Sequence, residues 1–492
     1  MTTLPLHDRQ LPRSISEAAR LLRAREVSAA ELADVARVRA HTDPFNAWLR
    51  IDDAYSRAQA TAADERLKRG DAPLLTGIPW ACKDIIGTRG IETTAASKIL
   101  KGYVPPYSAT VVERLDFAGA VMIGKTNLDE FAMGSSNENS AFGPVKNPWD
   151  VTRVPGGSSG GSAVAVAAGQ VMFSLGTDTG GSIRQPGALT GVAGMKPTYG
   201  RVSRFGVVAF ASSLDQVGPF GQTVEDCAIV CEALFGNDAN DATTMPLPAE
   251  DLRRDLEKGV KGLRIGVPKE FFIDGMEKGV ERAVRDALRW YEKEGAELVD
   301  VSLSLTDHGL AVYYIIQPAE ASSNLARFDG VRFGLRVDGK DLLDTYRKTR
   351  GQGFGAEVKR RMILGTYALS AGYYDAYYVK AQKVRTLIKA EFDAAFAKCD
   401  AIVTPTSPTV AFKIGQKIDD PLSMYLNDVF TLPGNIAGLP GISIPCGFSE
   451  ERLPIGLQVM ANSFQEATMF RVAAAFERGT KHHEARPEVR AA

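Results

Sequence analysis

The apolar positions along the chain switch between a helical and a strand period, and the switching predicts an α/β protein. Near the amino end, Ser14-Ile15-Ser16-Glu17 and Ser28-Ala29-Ala30-Glu31 both carry the S-x-x-E spacing of a capping box, and each opens a helical pattern. The pair predicts a helical hairpin. A third helix follows over Ala54 to Arg69, its charge run forming a solvated face. From Leu75 to Asp84 the pattern becomes a strand, with Lys83 set among apolar neighbours. Leu263 to Pro268 and Glu297 to Val301 read as strands bracketing a helix from about Gly279 to Gly295, a strand-helix-strand unit of the parallel kind. Residues 310–397 are strongly helical and rich in tyrosine (Tyr313, Tyr314, Tyr373, Tyr374, Tyr377, Tyr378), which serves either packing or a partner-facing surface. Ala401 to Pro405, Gly441 to Pro445 and Leu457 to Met460 add strands before a last helix. No repeat, low-complexity tract or domain linker interrupts the series. The pattern therefore predicts one large α/β domain, a central mixed sheet covered by helices on both faces. Residues 1–70 are its N-terminal helices, 71–480 the core, and 481–492 a polar, frayed tail.

Composition narrows what such a domain does. Of the 492 residues, 45% are hydrophobic and 24% charged, with a formal net charge of −1. A near-neutral chain has no global field to draw it to nucleic acid, so any tRNA or DNA would be held mainly by a partner. The five cysteines are odd in number and scattered, which argues for free thiols in a reducing, cytoplasmic setting. Cys227 and Cys231 lie four apart on one helical face; without a second close pair they read as core thiols rather than half a metal site. Residues 1–13 lack the apolar stretch of a signal peptide, and the longest apolar run is too short to span a bilayer, so no membrane association is expected.

The candidate chemistry sits in two glycine-rich turns. One is Pro155-Gly156-Gly157-Ser158-Ser159-Gly160-Gly161-Ser162; the other is Gly176-Thr177-Asp178-Thr179-Gly180-Gly181-Ser182-Ile183-Arg184. Glycine lets backbone N–H groups approach a ligand closely. A glycine-serine run also suits a flexible linker. The apolar run from Ala163 to Gly169, however, reads as a buried helix or strand whose amino end is the first turn, and Ser174-Leu175-Gly176-Thr177 leads into the second. Both serines therefore hang on packed elements. A serine nucleophile needs a base, and none of His7, His41, His308, His482 and His483 falls in a glycine turn or an obvious buried strand. Lys83 is the other candidate: either an edge lysine with its amine in water, or a buried amine made basic near neutral pH by desolvation.

With Lys83, Ser158 and Ser182 in these segments, the chain resembles the amidase signature family. The resemblance implies a Ser-cisSer-Lys triad, in which Ser182 attacks, Ser158 (after a cis Gly157–Ser158 bond) relays the proton, and a neutral Lys83 is the base. It implies an oxyanion hole from the N–H groups of Thr179, Gly180, Gly181 and Ser182, with Asp178 and Arg184 bracing the turn. Asp84 is expected on the opposite face of the strand from Lys83. The segments Gly124 to Ser136, Lys196 to Arg204 and Val358 to Asp375 further resemble the amidase subunits of the glutamyl/aspartyl-tRNA amidotransferases, from near residue 10 to near 480. That implies a glutaminase in a heterotrimer with the B and C subunits, feeding ammonia to a kinase-like partner that converts mischarged Glu-tRNA or Asp-tRNA. No metal or cofactor is implied in this chain; ATP and magnesium would be used in a partner subunit. The same resemblance puts the glutamine carboxylate on Arg361 and its ammonium on Asp428. Read on their own, Arg361 fits a basic surface turn with Lys359 and its rival Arg360, and Asp428 fits a cap for a helix beginning at Val429. Gly187, where relatives usually carry alanine, is expected to loosen the following turn. A stand-alone amidase acting on a small or aryl amide uses identical chemistry and stays open as the alternative.

Overall fold

Short apolar strands, most of them buried on both faces, build one sheet in the computed structural model, which describes residues 10–488. The strands are β1 (Trp48–Ile51), β2 (Pro79–Lys83), β3 (Val121–Thr126), β4 (Phe173–Asp178), β5 (Ala193–Lys196) and β6 (Gln216–Gly221), then β7 (Arg264–Pro268), β8 (Glu297–Val301), β9 (Ala401–Pro405), β10 (Gly441–Phe448) and β11 (Pro454–Met460). They join in the order β1-β3-β2-β4-β6-β5-β10-β11-β9-β7-β8. β3, β2 and β4 are parallel neighbours, as are β9, β7 and β8, whereas β4 through β9 alternate as antiparallel pairs across the middle. Helices flank this mixed sheet, as the pattern predicts. One apolar core runs from Ile15 to Phe476 and has no seam at residue 70.

Several expectations need correction. The first two helices, Ile15–Arg23 and Ala29–His41, dock on different partners rather than forming a hairpin. Ile15 N donates to Asp226 Oδ1 on the helix Val224–Leu234 (2.7 Å), while Ala29 N donates to Asp64 Oδ1 on the helix Asp53–Arg69 (2.7 Å). Of the two predicted capping boxes only Ser28 with Glu31 closes fully, because Glu17 spends its carboxylate on Arg13 N (2.7 Å) instead of Ser14 N. Residues 1–70 are not all helical, since β1 lies among them and pairs antiparallel with β3. The stretch 310–397 contains helices Gly309–Asn324, Leu342–Gly353, Ala356–Ala368 and Lys380–Phe396, but it loses its helical path between Phe328 and Asp341. The tail is not wholly frayed: His482–Glu484 forms a 3₁₀ turn, with the His482 ring 6.2 Å from that of Phe476. His7 and residues 489–492 lie outside the described residues. All five cysteines are buried free thiols, and burial pushes Cys227 and Cys231 well above the usual thiol range. Among the described residues no helix is long and apolar enough to cross a membrane.

Candidate active site

Strand β2 is buried along its whole length, and Trp80 stacks on Phe173 of β4 with ring centroids 5.9 Å apart. Lys83 is its last residue, so the side chain leaves the end of a buried strand and reaches the two glycine turns rather than water. The edge reading of Lys83 is thereby excluded, for the residue is fully buried. Its Nζ lies 2.8 Å from Ser158 Oγ, 2.7 Å from Ser159 Oγ and 2.8 Å from Thr177 Oγ1. Asp84 turns away, as expected: its carboxylate takes Thr94 N (2.9 Å) and lies 3.6 Å from the buried Lys125. Burial pulls the Lys83 amine down to about 7, against the opposing pull of Asp129, Asp178 and Asp215. The amine is thus poised to be neutral near physiological pH.

The apolar run after the first turn is a helix, Gly160–Ala167, and Ser159 is its N-cap residue. The Ser159 hydroxyl makes no cap; it donates to Thr177 O (3.1 Å) and accepts from Thr177 N (3.2 Å). With those bonds made, the Ser159 proton is engaged, which leaves Ser158 as the hydroxyl beside Lys83 with a proton free to exchange. The Gly157–Ser158 peptide is cis. Gly157 must be glycine, since a Cβ there would stand 2.1 Å from Asp129 Oδ2. Asp129 anchors the turn from beneath: its carboxylate accepts Asn137 N (2.9 Å) and Asn139 N (3.0 Å), and its own N–H donates to Ser158 O (3.1 Å).

Ser182 lies in the second turn, between β4 and the helix Arg184–Thr190, and is 8% exposed. Ser159 N donates to Ser182 O at 3.2 Å, so the two turns are fastened backbone to backbone. Among the described residues, none of the N–H groups of Thr179, Gly180, Gly181 and Ser182 donates a hydrogen bond. Open main-chain donors of this kind suit a developing oxyanion. Side chains pin the turn on every side. Thr431 Oγ1 donates to Gly180 O (2.7 Å), Thr179 Oγ1 donates to Asp215 Oδ1 (2.7 Å), and Asp178 takes both Arg184 Nε (3.1 Å) and Arg184 Nη2 (3.2 Å). Arg184 also donates to Gln458 Oε1 (2.7 Å) and to Asn435, so Asp178 and Arg184 do brace the turn. Gly187 loosens nothing visible: its N–H bonds Ile183 O (2.9 Å) and its carbonyl takes Val192 N (3.1 Å).

The later half of the chain supplies the other wall. The helix Gly309–Asn324 sets Tyr313 against the second turn, where a Cβ on Gly180 would meet Tyr313 Cζ at 2.7 Å. Arg361, on the helix Ala356–Ala368 packed against it, is only 2% exposed, which overturns the surface reading. Arg361 Nε donates to Glu357 Oε1 (2.8 Å) and Nη1 to Gln317 Oε1 (2.9 Å), and its guanidinium lies 5.2 Å from the Tyr314 ring and 5.4 Å from that of Tyr425. Arg360 points outward and pairs with Glu357, so of the two arginines only Arg361 is buried beside Gln317. Asp428 caps nothing: it ends the 3₁₀ turn Leu426–Asp428, and Oδ2 accepts from Ser135 Oγ. Its Oδ1 finds no partner among the described residues and would stand 3.1 Å from a Cβ on Gly181. Burial raises this carboxyl to about 7. The Ser159, Thr177, Asp129, Asp215 and Gln317 contributions escape sequence reasoning; only the doubled serine of the first turn hints at one of them.

A buried amine on two adjacent hydroxyls, in a turn fastened to a second turn of open main-chain donors that carries a third hydroxyl, holds the components of an acyl-transfer site, and the class is that of an amidase. The chain belongs to the amidase family, whose model, described as Amidase, matches residues 32–470. It is 59% identical over 466 residues, 94% of this chain and 96% of the relative, to the glutamyl-tRNA(Gln) amidotransferase A-subunit of Myxococcus xanthus. It is 57% identical over 479 residues, 97% of this chain and 98% of the relative, to the protein of that name from Roseiflexus castenholzii. Among solved structures, the glutamyl-tRNA(Gln) amidotransferase A-subunit of Thermotoga maritima superposes with a TM-score of 0.81 at 42% identity, covering 100% of both chains. The peptide amidase of Stenotrophomonas maltophilia gives 0.83 at 30% identity, covering 97% of this chain and 98% of that one.

Proposed function

We propose that this chain is the glutamine-hydrolysing amidase subunit of a tRNA-dependent amidotransferase. The observation that carries the reading is the Lys83–Ser158 hydrogen bond (2.8 Å) at the cis peptide, fastened to a turn whose N–H groups are open, in a chain alike over nearly its full length to subunits of that name. Ser182 Oγ attacks the side-chain carbonyl of glutamine while its proton passes to Ser158, and the Ser158 proton passes to the neutral Lys83 amine. The oxyanion is held by the N–H groups of Thr179, Gly180, Gly181 and Ser182; each such donor is worth about 3 kcal/mol of barrier. Collapse expels ammonia, which takes the proton back through Ser158, and leaves a glutamyl ester on Ser182. Water then attacks the ester by the same relay and releases glutamate. Arg361 binds the substrate carboxylate and Asp428 its ammonium, a planar fork and an unfilled oxygen at the two ends of an amino acid. The B and C subunits complete a cytoplasmic heterotrimer. They hold most of the mischarged tRNA and the ATP and magnesium that the amide transfer uses.

The test is glutamine hydrolysis by the full chain alone and with candidate partner subunits, with intact mass recorded on acid-quenched samples. Stimulation by partners and a glutamyl adduct that Ser182→Ala abolishes are the expected results. Full activity alone on diverse amides, without stimulation, would instead mark a stand-alone amidase.

A further inference from the structure

Tyr313 and Gln317 lie one turn apart on the helix Gly309–Asn324 and so share a face, the face that carries Tyr313 to the oxyanion turn. Gln317 is fully buried. Its carbonyl accepts from Arg361 Nη1 at 2.9 Å, and because a guanidinium only donates, that contact fixes which end of the amide is which. The Gln317 Nε2 is then left with two hydrogens and no acceptor among the described residues. Buried side-chain amides are paired as a rule, so the exception asks for a ligand. Two other groups on this wall keep unused hydrogen-bonding capacity. Arg361 donates from Nε and Nη1 but not from Nη2 to any described residue, and Asp428 Oδ1 accepts from none. The set therefore has donors on the Arg361 side and a single acceptor beside the nucleophile turn. That is the polarity of a molecule with a carboxylate at one end and an ammonium nearby.

We infer that Gln317 is a further specificity-determining residue, which orients Arg361 through its carbonyl and donates from Nε2 to the substrate carboxylate. The inference rests on the glutamine reading above. A glutamine retained only to hold Arg361 needs no donor, and this difference makes the idea testable.

In the full chain with its partners, kcat and KM are measured for glutamine and for propionamide, which has no carboxylate. Gln317→Glu keeps an acceptor for Arg361 but removes the donor, whereas Gln317→Met removes both. The ratio of the two substrates' kcat/KM values cancels differences in the amount of folded protein. Gln317→Glu is expected to lower that ratio about 10-fold or more, through KM for glutamine, as loss of a hydrogen bond to a charged group implies. A ratio within about twofold of wild type in Gln317→Glu, with a fall only in Gln317→Met, would reduce Gln317 to a support for Arg361 and overturn the inference. So would an unaltered ratio in both variants. If Arg361→Gln itself leaves the ratio unaltered, it is the glutamine reading that has failed, and the Gln317 inference falls with it.

Discussion

An amine held by three hydroxyls at the end of a buried strand has its own pH signature. Below about 7 Lys83 is an ammonium and accepts nothing; above it the amine is free, so propionamide kcat/KM should rise through that pH to a plateau. Lys83→Met should cost about 100-fold or more on either substrate at neutral pH, and activity near wild type would end its assignment as base. Glutamine adds a second group. The Asp428 carboxyl, raised by burial to about 7, is neutral on the acid side and then cannot pair with an ammonium. KM for glutamine should therefore climb as pH falls below 7, and Asp428→Asn should erase that acid limb while leaving a high KM throughout. Ser158→Ala is expected to approach the loss of Ser182→Ala, with Ser159→Ala milder because the Ser159 proton is engaged. A steady-state comparison in which Ser159→Ala is the worse of the two would move the relay. Sequence pattern locates the doubled serine but has no means of choosing between its members, since the choice depends on which hydroxyl β4 engages at Thr177. Arg360 and Arg361 pose the same difficulty: neighbours on one helix turn, separated only by which one faces Gln317.

Elements explain how such side chains are held in place. Asp178 and Arg184 form a fully buried ion pair at the mouth of the second turn, and breaking it from one side leaves a charge without a partner. Arg184→Leu should destabilise the chain by about 3–5 kcal/mol, as measured by chemical denaturation. A loss under 1 kcal/mol, on the scale of a surface pair, would show the turn to be held by other means. The strap Asp129-Glu130-Phe131 works differently: Asp129 supports the cis-peptide turn, while Glu130 takes Gly355 N (2.8 Å) at the start of the helix bearing Arg361. Strand β9 and the β7-helix-β8 unit are legible from pattern because β9 carries an unbroken apolar run and the unit's strand-helix-strand connections are regular. Strands β1, β3, β5 and β6 are not. β1 and β5 have four residues each, β3 hides Lys125 in its run, and Gln216–Gly221 places Pro219 and two glycines between β4 and β5, where propensity argues against a strand and tertiary packing overrides it.

Across the whole molecule, distant parts of the chain meet at buried acids. Asp226 takes the N–H of Ile15, and Glu477 on the helix Glu466–Thr480 takes Val224 N (2.9 Å), so both ends of the described chain converge on the helix Val224–Leu234. Burial raises Asp226 to about 7 and Glu477 to about 8. Between the ordinary carboxylate range and those values the folded chain binds more protons than the unfolded one, so stability falls as pH rises through this window. Glu477→Gln should flatten that decline and raise stability at pH ~8.5 by about 1 kcal/mol or more, read from denaturant midpoints at acid and alkaline pH. An unaltered pH slope would exclude Glu477 as its source.

The backbone link from Ser159 to Ser182 has a wider consequence. Lys83, Ser158 and Ser182 are all contributed by the first two hundred residues and locked there into one rigid block, whereas Gln317, Arg361 and Asp428 arrive on separate later elements. Bond cleavage and substrate preference are thereby inherited on different stretches of chain, and grafting the later stretch from a relative should redirect appetite while the cutting edge stays the same.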